Sequence, residues 1–133
     1  MEEYEKIDTY KNFQYAVWLN TKKGYRCGYI KIPENHVLYE KQFDEFECSI
    51  DSVMLTFSGH IKGLSGWFIG FDHNHLYDGV DEDAIRKYHP DNADFYINDA
   101  YSYHDGRYNI YATLDTVIEE CQNVIDELIT KYN

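Results

Sequence analysis

Hydrophobic and aromatic residues recur in four short runs over the first part of the chain. Residues 13–20 (FQYAVWLN) and 24–32 (GYRCGYIKI) alternate or cluster aromatic and β-branched side chains around a turn-forming stretch, which predicts a β-hairpin. Residues 49–59 (SIDSVMLTFSG) and 66–72 (GWFIGFD) are two more such runs, joined by a segment that contains Gly and Ser. The pattern predicts about four antiparallel strands, with a short helix or irregular segment at 38–46.

The spacing of apolar residues becomes helical towards the C-terminus. Residues 81–88 (DEDAIRKY) begin with acidic side chains and end with Arg86 and Lys87, as a helix dipole favours, and Pro90 follows where this helix should stop. Thr113 is placed to cap a second, longer helix. The apolar stripe of that helix is Leu114, Val117, Ile118, Cys121, Ile125, Leu128 and Ile129. The predicted fold is α+β: an antiparallel sheet of about four strands, with the long C-terminal helix packed on one face and a short helix near 81–88.

Length and charge narrow the classes of function. A chain of 133 residues fits one domain, residues 1–133, because single cores divide only at roughly 250–300 residues. Twenty-four acidic and twelve basic side chains leave a formal charge of −12. This charge repels a phosphate backbone, so we expect no direct binding of nucleic acid. It suits a protein partner with a basic surface, although solubility alone also explains it.

Cysteine usage and the absence of apolar leader segments suggest where the protein works. We see no apolar run near the start and none of about 18 residues elsewhere, so export and membrane insertion are not expected. Cys27, Cys48 and Cys121 are an odd and sparse set, which favours a reducing compartment over a disulfide framework. The expected location is the cytoplasm.

Two histidines one residue apart, His73 and His75, form the first candidate site. On a strand both side chains point to the same face and can reach one metal ion. Zinc prefers four Cys and His ligands, and the best candidates for the other two are Cys27 in a predicted strand and His36 after a Pro turn. A site closed by Cys27, His36, His73 and His75 would hold a structural zinc ion (Zn2+) and leave no open position for a substrate.

Other interpretations of this histidine pair stay open. The histidines could form hydrogen bonds with Asp72, Asp78 or the loop backbone, and Cys27 could be a small buried apolar residue. A metal-dependent nuclease or hydrolase that uses His73, His75 and Asp78 is a further alternative. The sequence contains no G-x-S-x-G, P-loop or H-E-x-x-H motif, so we predict that the protein is not an enzyme.

The stretch 91–107 is polar and rich in tyrosine and aspartate. Tyrosine supplies a large contact area with a polar tip, so this composition fits a protein-binding surface. It fits equally well a set of tyrosines that cover the sheet. The candidate partner-binding residues are Asp94, Asp99, Tyr101, Tyr103 and Asp105.

The order of several motifs resembles a family of small proteins from phages, prophages and other mobile elements. The motifs are CGYI, P-x-x-H-x-L-Y, LTFSG, WFIGFD-x-x-H-x-x-D and a C-terminal TLDTVIEECQ, over about residues 25–128. The family commonly carries HGG before LTFSG, where this chain has Ser-Val-Met, and a Cys at the position of His73. By position, the resemblance implies metal ligands at Cys27, His36, His73 and His75.

Among such proteins, the chain is similar to zinc-binding type II anti-CRISPR proteins, which inhibit Cas9-type RNA-guided nucleases. The similarity implies a non-enzymatic inhibitor in the cytoplasm of a bacterial host, with a structural zinc. It would bind the basic, nucleic-acid-handling lobe of the nuclease and prevent target DNA from loading. A sponge for a nucleotide immune signal is an alternative, but it needs a pocket of cations, and the few Lys and Arg residues are scattered.

Overall fold

The computed structural model describes residues 3–76, 78–103 and 110–132, with the side chain of Glu3 left out. The described residues form five strands, which are β1 (Glu3–Tyr10), β2 (Phe13–Asn20), β3 (Tyr25–Ile32), β4 (Phe57–Ile61) and β5 (Leu64–Asp72). They also form three α-helices, which are α1 (Glu82–Tyr88), α2 (Ala93–Tyr103) and α3 (Leu114–Tyr132). Two short 3-10 helices lie at Phe43–Glu45 and Glu47–Ser49.

The five strands form one antiparallel sheet in the order β1-β2-β3-β5-β4. The pairing of Cys27 with Trp18 of β2 and with Asp72 of β5 fixes the register at the centre of the sheet. The predicted hairpin over 13–32 is confirmed, and so is the α+β class with a long C-terminal helix. The strand count is five instead of about four.

Three elements differ from the sequence prediction. Strand β1 has a charged sequence, EYEKIDTY, and forms because its backbone pairs with β2 at the edge of the sheet. The predicted strand at 49–59 contributes only its last residues to β4, since a 3-10 helix and irregular chain precede them. Helix α2 lies in the stretch at 91–107, where few apolar residues signalled a helix.

Helix α3 covers one face of the sheet. Its N-terminus is capped by Thr113, whose Oγ1 accepts a hydrogen bond from the backbone N–H of Thr116 at 3.2 Å. Gly28 of β3 allows the helix to approach, because a Cβ at this position would lie 2.3 Å from Phe71 and 2.9 Å from the Sγ of Cys121. The α3 residues buried in this core are Val117, Cys121, Val124, Ile125 and Leu128.

A second, smaller apolar cluster lies under α1 and α2. The buried members of this cluster are Val80, Ile85, Ala93, Ile97 and Ala100. We call the two helices the α1–α2 lobe. Arg26 of β3 ties the lobe to the sheet: its Nε donates to Glu5 at 2.6 Å and its Nη1 to Asp81 at 2.9 Å. Asp81 also caps α1 by accepting from the N–H of Ala84 at 3.1 Å. Removing one member of such a buried ionic group is costly, because the others then lack their partner.

Within the described ranges, no helix is long and apolar enough to cross a lipid bilayer. The prediction of a single domain over residues 1–133 stays a prediction.

Candidate functional site

A pocket of about 240 Å³ lies where β5 ends. The strand stops at Asp72, and the N–H of His73 donates to the carbonyl of Arg26 at 3.0 Å, which holds the following turn against β3. We call it the histidine pocket, and it is lined by Val53, Met54, Phe71, Asp72, His73, His75, Asp78 and Glu120. The structure therefore brings His73 and His75 to one site, as the sequence pattern predicts.

His73 is hydrogen-bonded to Glu120 of α3. Its Nε2 lies 2.7 Å from the Oε1 of Glu120, and both side chains are largely buried. Burial opposes the charged imidazole, but the hydrogen bond and the charge of Glu120, with smaller contributions from Asp78 and Asp72, outweigh it and raise the pKa of His73. His73 is thus a basic imidazole held by a carboxylate.

His75 forms the second imidazole–carboxylate pair of the pocket. The Oδ2 of Asp78 lies 2.8 Å from the Nδ1 of His75 and also accepts from its backbone N–H at 2.8 Å. Asp72 is held in turn by the hydroxyl of Thr56 at 3.0 Å and by the N–H of Asn74 at 3.0 Å. Hydrogen bonding of His75 with Asp78 is one of the interpretations that the sequence left open.

Cys27 does not share the side of the sheet that His73 faces. Gly28 points towards α3, so the alternation of a strand turns Cys27 to the opposite face. His73 lies on the helix side, where it contacts Glu120 and the ring of Phe71. Burial raises the pKa of the Cys27 thiol to about 12, which opposes the thiolate form that zinc binds.

His36 lies at the other end of α3. Its ring packs against Phe13 and Tyr132, with centroid distances of 5.9 and 6.3 Å. Its Nδ1 accepts from the N–H of Leu38 at 3.1 Å, and burial lowers its pKa. From Glu120 to Tyr132, α3 rises by roughly 18 Å at 1.5 Å per residue, so His36 is remote from the histidine pocket.

The four predicted zinc ligands therefore do not fit one tetrahedral ion in this structure. Cys27 lies on the opposite face of the sheet from His73, and His36 lies at the far end of the helix. Among the residues that the structure describes, no group of three or more His, Cys, Asp or Glu side chains is arranged to hold a metal ion. A bound structural zinc stays a prediction from the sequence.

Helix α2 presents a second candidate site, an acidic and aromatic surface. The exposed face of α2 lies opposite its buried residues and carries Asp94, Phe95, Asp99 and Tyr103. Asp91 precedes the helix on the same side. Phe95 is 69% exposed, Tyr103 is 55% exposed and the Asp94 side chain is 91% exposed. We call these five residues the α2 face.

Three of the predicted partner-binding residues, Asp94, Asp99 and Tyr103, lie on the α2 face. Tyr101 is turned into the lobe, where its hydroxyl donates to Glu82 at 2.6 Å. Burial and the Glu82 carboxylate together raise the pKa of Tyr101 to about 12. Asp105 lies outside the described residues.

The sequence pattern did not indicate Glu120 of the histidine pocket or Phe95 of the α2 face. Glu120 is 47 residues from His73, so no local spacing connects them. Phe95 belongs to a helix that was not predicted. A period of 3.6 residues, applied to the buried positions Ala93, Ile97 and Ala100, would have placed Phe95 on the opposite, exposed face.

Comparisons with known protein families, with curated proteins and with solved structures found no match to this chain. The resemblance to mobile-element proteins therefore stays a prediction that rests on the motifs.

Proposed function

We propose that this protein is a non-enzymatic inhibitor that binds a basic, nucleic-acid-handling protein through the α2 face. The resemblance of the motifs suggests a Cas9-type CRISPR nuclease as that partner. Occupying its nucleic-acid channel would keep target DNA from loading.

The observation that carries the proposal is an exposed phenylalanine among carboxylates. Phe95 is 69% exposed on α2, directly after Asp94 and about one helical turn before Asp99. Aromatic side chains are enriched at the centres of protein interfaces, and burying a Phe side chain contributes about 1.5–3 kcal/mol. A partner that covers this ring gains apolar contact and meets carboxylates at its rim.

Charge supports a basic partner. The chain carries a formal charge of −12, so it is attracted to a positively charged surface and repelled by a nucleic-acid backbone. The guide–target duplex of a Cas9-type nuclease lies in a positively charged channel. An acidic protein and nucleic acid would compete for such a channel.

The proposal is tested by DNA cleavage with a Cas9-type nuclease in the presence of the purified protein. Wild-type protein is expected to reduce cleavage at stoichiometric amounts. The double variant Asp94→Lys with Asp99→Lys is expected to inhibit at least tenfold less well, because it reverses charge on the α2 face. Circular dichroism should show that the fold is unchanged.

A matched control separates the α2 face from net charge. Glu34→Lys with Glu119→Lys makes the same change in charge at exposed positions outside α2. This control is expected to inhibit like the wild type. If both double variants lose inhibition equally, the α2 face is not the binding surface. If wild-type protein neither binds the nuclease nor slows cleavage, the function is wrong for that nuclease.

A second candidate function is hydrolysis in the histidine pocket. Two imidazole–carboxylate pairs, His73 with Glu120 and His75 with Asp78, line one pocket. A carboxylate that orients an imidazole is a common arrangement for a general base. The exposed side chain of Met54 adds an apolar wall for a substrate.

Turnover of generic phosphodiesters and esters, with and without added divalent cations, tests this second candidate. Wild type is compared with His73→Ala, His75→Ala and the control His60→Ala, which lies outside the histidine pocket. Activity that survives only in wild type and in the His60 variant would favour the enzyme. Equal background rates in all four proteins would exclude it for those substrates.

A further inference from the structure

A cleft of about 370 Å³ lies between the end of α1 and the start of α2. Arg86 of α1 forms one side of it, and Asp91, Asp94 and Phe95 lie on the side of α2. The cleft therefore combines two carboxylates, a solvent-exposed aromatic ring and one guanidinium group. This combination determines which side chain of a partner the cleft could accept.

The guanidinium group of Arg86 only partly neutralises the carboxylates. Its Nη1 lies 3.4 Å from Asp94 and its Nη2 lies 3.3 Å from Glu82. Both distances exceed the roughly 2.7–2.9 Å of a strong charge-assisted hydrogen bond. Arg86 is divided between two acids and exposed, so a partner's cation can replace it at Asp94 at little cost.

Phe95 supplies the second part of the cleft. Phe95 is 69% exposed, and its ring contacts Tyr96 edge to face, with centroids 5.6 Å apart. This contact supports the ring while most of it stays open to a partner. A cation within about 6 Å of such a ring is attracted by its quadrupole.

We propose that this cleft binds an arginine side chain of a basic protein partner. A guanidinium is planar, so it can stack on Phe95 and direct its N–H groups to Asp91 and Asp94. A lysine ammonium is a compact charge without a planar face, so it cannot stack on Phe95 and at the same time direct several N–H groups to both carboxylates. The inference rests on the proposed function and deepens it by naming the group that anchors the partner.

The first test uses two peptides, hexa-arginine amide and hexa-lysine amide, titrated into the full chain by calorimetry. The arginine peptide is expected to bind about three- to fivefold more tightly. Phe95→Ala is expected to remove this preference. Asp94→Asn is expected to weaken the binding of the arginine peptide by a similar factor. Glu119 is an exposed acid on α3, outside the cleft. Glu119→Gln should therefore lower the affinity of both peptides equally and only slightly, as expected for the loss of one distant charge.

Arg86 provides a sharper comparison. Arg86→Gln should strengthen binding of the arginine peptide about twofold, because it removes the cation that competes for Asp94. Lys87→Gln makes the same change in net charge at the next, exposed residue and should have a smaller effect. Equal affinity of both peptides for wild type, or an unchanged preference in Phe95→Ala, would overturn the inference.

Failure of this inference is distinguishable from failure of the proposed function. The peptide titrations need no nuclease, so an arginine preference that depends on Phe95 supports the cleft even where no nuclease is inhibited. Conversely, equal affinity of both peptides for a wild-type protein that does inhibit the nuclease would keep the inhibitor function and overturn the arginine cleft.

Discussion

At the residue scale, the histidine pocket depends on side chains that come together from distant parts of the chain. The adjacency of His73 and His75 could be predicted, because it is written in the sequence. Their carboxylate partners differ: Asp78 is local, but Glu120 is positioned by the packing of α3 on the sheet. Cys27 lies in a strand next to the histidine turn, but its side chain is on the face of the sheet opposite His73, since the face of a strand residue changes with a shift of one position.

The His73–Glu120 pair predicts a pH-dependent stability. The pKa of His73 is raised in the folded protein, so the pair stabilises the fold fully below the ordinary value of about 6.5. This contribution is lost as the pH rises through the raised value. Glu120→Gln should lower the free energy of unfolding by about 1 kcal/mol at pH 6 and by less at pH 9, measured with urea.

Glu119 provides a matched control for the Glu120→Gln variant. It is exposed, so Glu119→Gln removes a charge one position away without breaking the His73–Glu120 pair. An NMR titration should show a lower pKa for His73 in Glu120→Gln than in Glu119→Gln. Equal stability losses at pH 6 and pH 9, with an unchanged His73 titration, would contradict this role of Glu120.

The position of Cys27 gives a prediction about zinc. Because Cys27 lies on the opposite face of the sheet from His73, Cys27→Ser should leave the zinc content of protein purified without chelator unchanged. Elemental analysis measures this directly, with His73→Ala as the comparison. A wild-type protein that carries about one zinc per chain, lost in Cys27→Ser, would show that Cys27 is a ligand after all.

At the scale of elements, strong apolar periodicity was predictable and weak periodicity was not. Helix α3 has five buried apolar positions and covers the main core, and its stripe is clear in the sequence. Helix α2 buries only Ala93, Ile97 and Ala100, against a small cluster. Three small or medium apolar residues among tyrosines and aspartates give too weak a helical periodicity to predict the helix. Strand β1 is an edge strand held by backbone pairing with β2. Its sequence is rich in charged residues, a composition more typical of a loop than of a strand.

The contact between β3 and α3 depends on Gly28. A Cβ there would lie 2.3 Å from the Phe71 ring, so Gly28→Ala should lower the free energy of unfolding by about 1–3 kcal/mol through overpacking. Thermal and urea unfolding measure the loss. Adding Phe71→Leu should recover part of it, since the leucine leaves room for the new methyl group. Full wild-type stability of Gly28→Ala would contradict this packing.

At the scale of the whole molecule, the sheet and α3 form the framework, and the α1–α2 lobe is attached to it through Arg26. The buried ion pairs of Arg26 with Glu5 and Asp81 join β1, β3 and the start of α1. The lobe that carries the α2 face is thus anchored to the sheet at the start of α1. The negative charge of the chain was apparent from composition, but its combination with exposed aromatic rings on one helix required the structure.

Binding of a basic partner by the α2 face is tested most directly by the rate of association with a Cas9-type nuclease loaded with guide RNA. Exposed charges are screened over about 8 Å at physiological ionic strength, so the wild-type rate should fall steeply between low and high salt. Asp94→Lys with Asp99→Lys should associate more slowly at low salt, and the two rates should converge at high salt. A wild-type rate that is independent of salt and equal to that of the double variant would contradict binding through the α2 face.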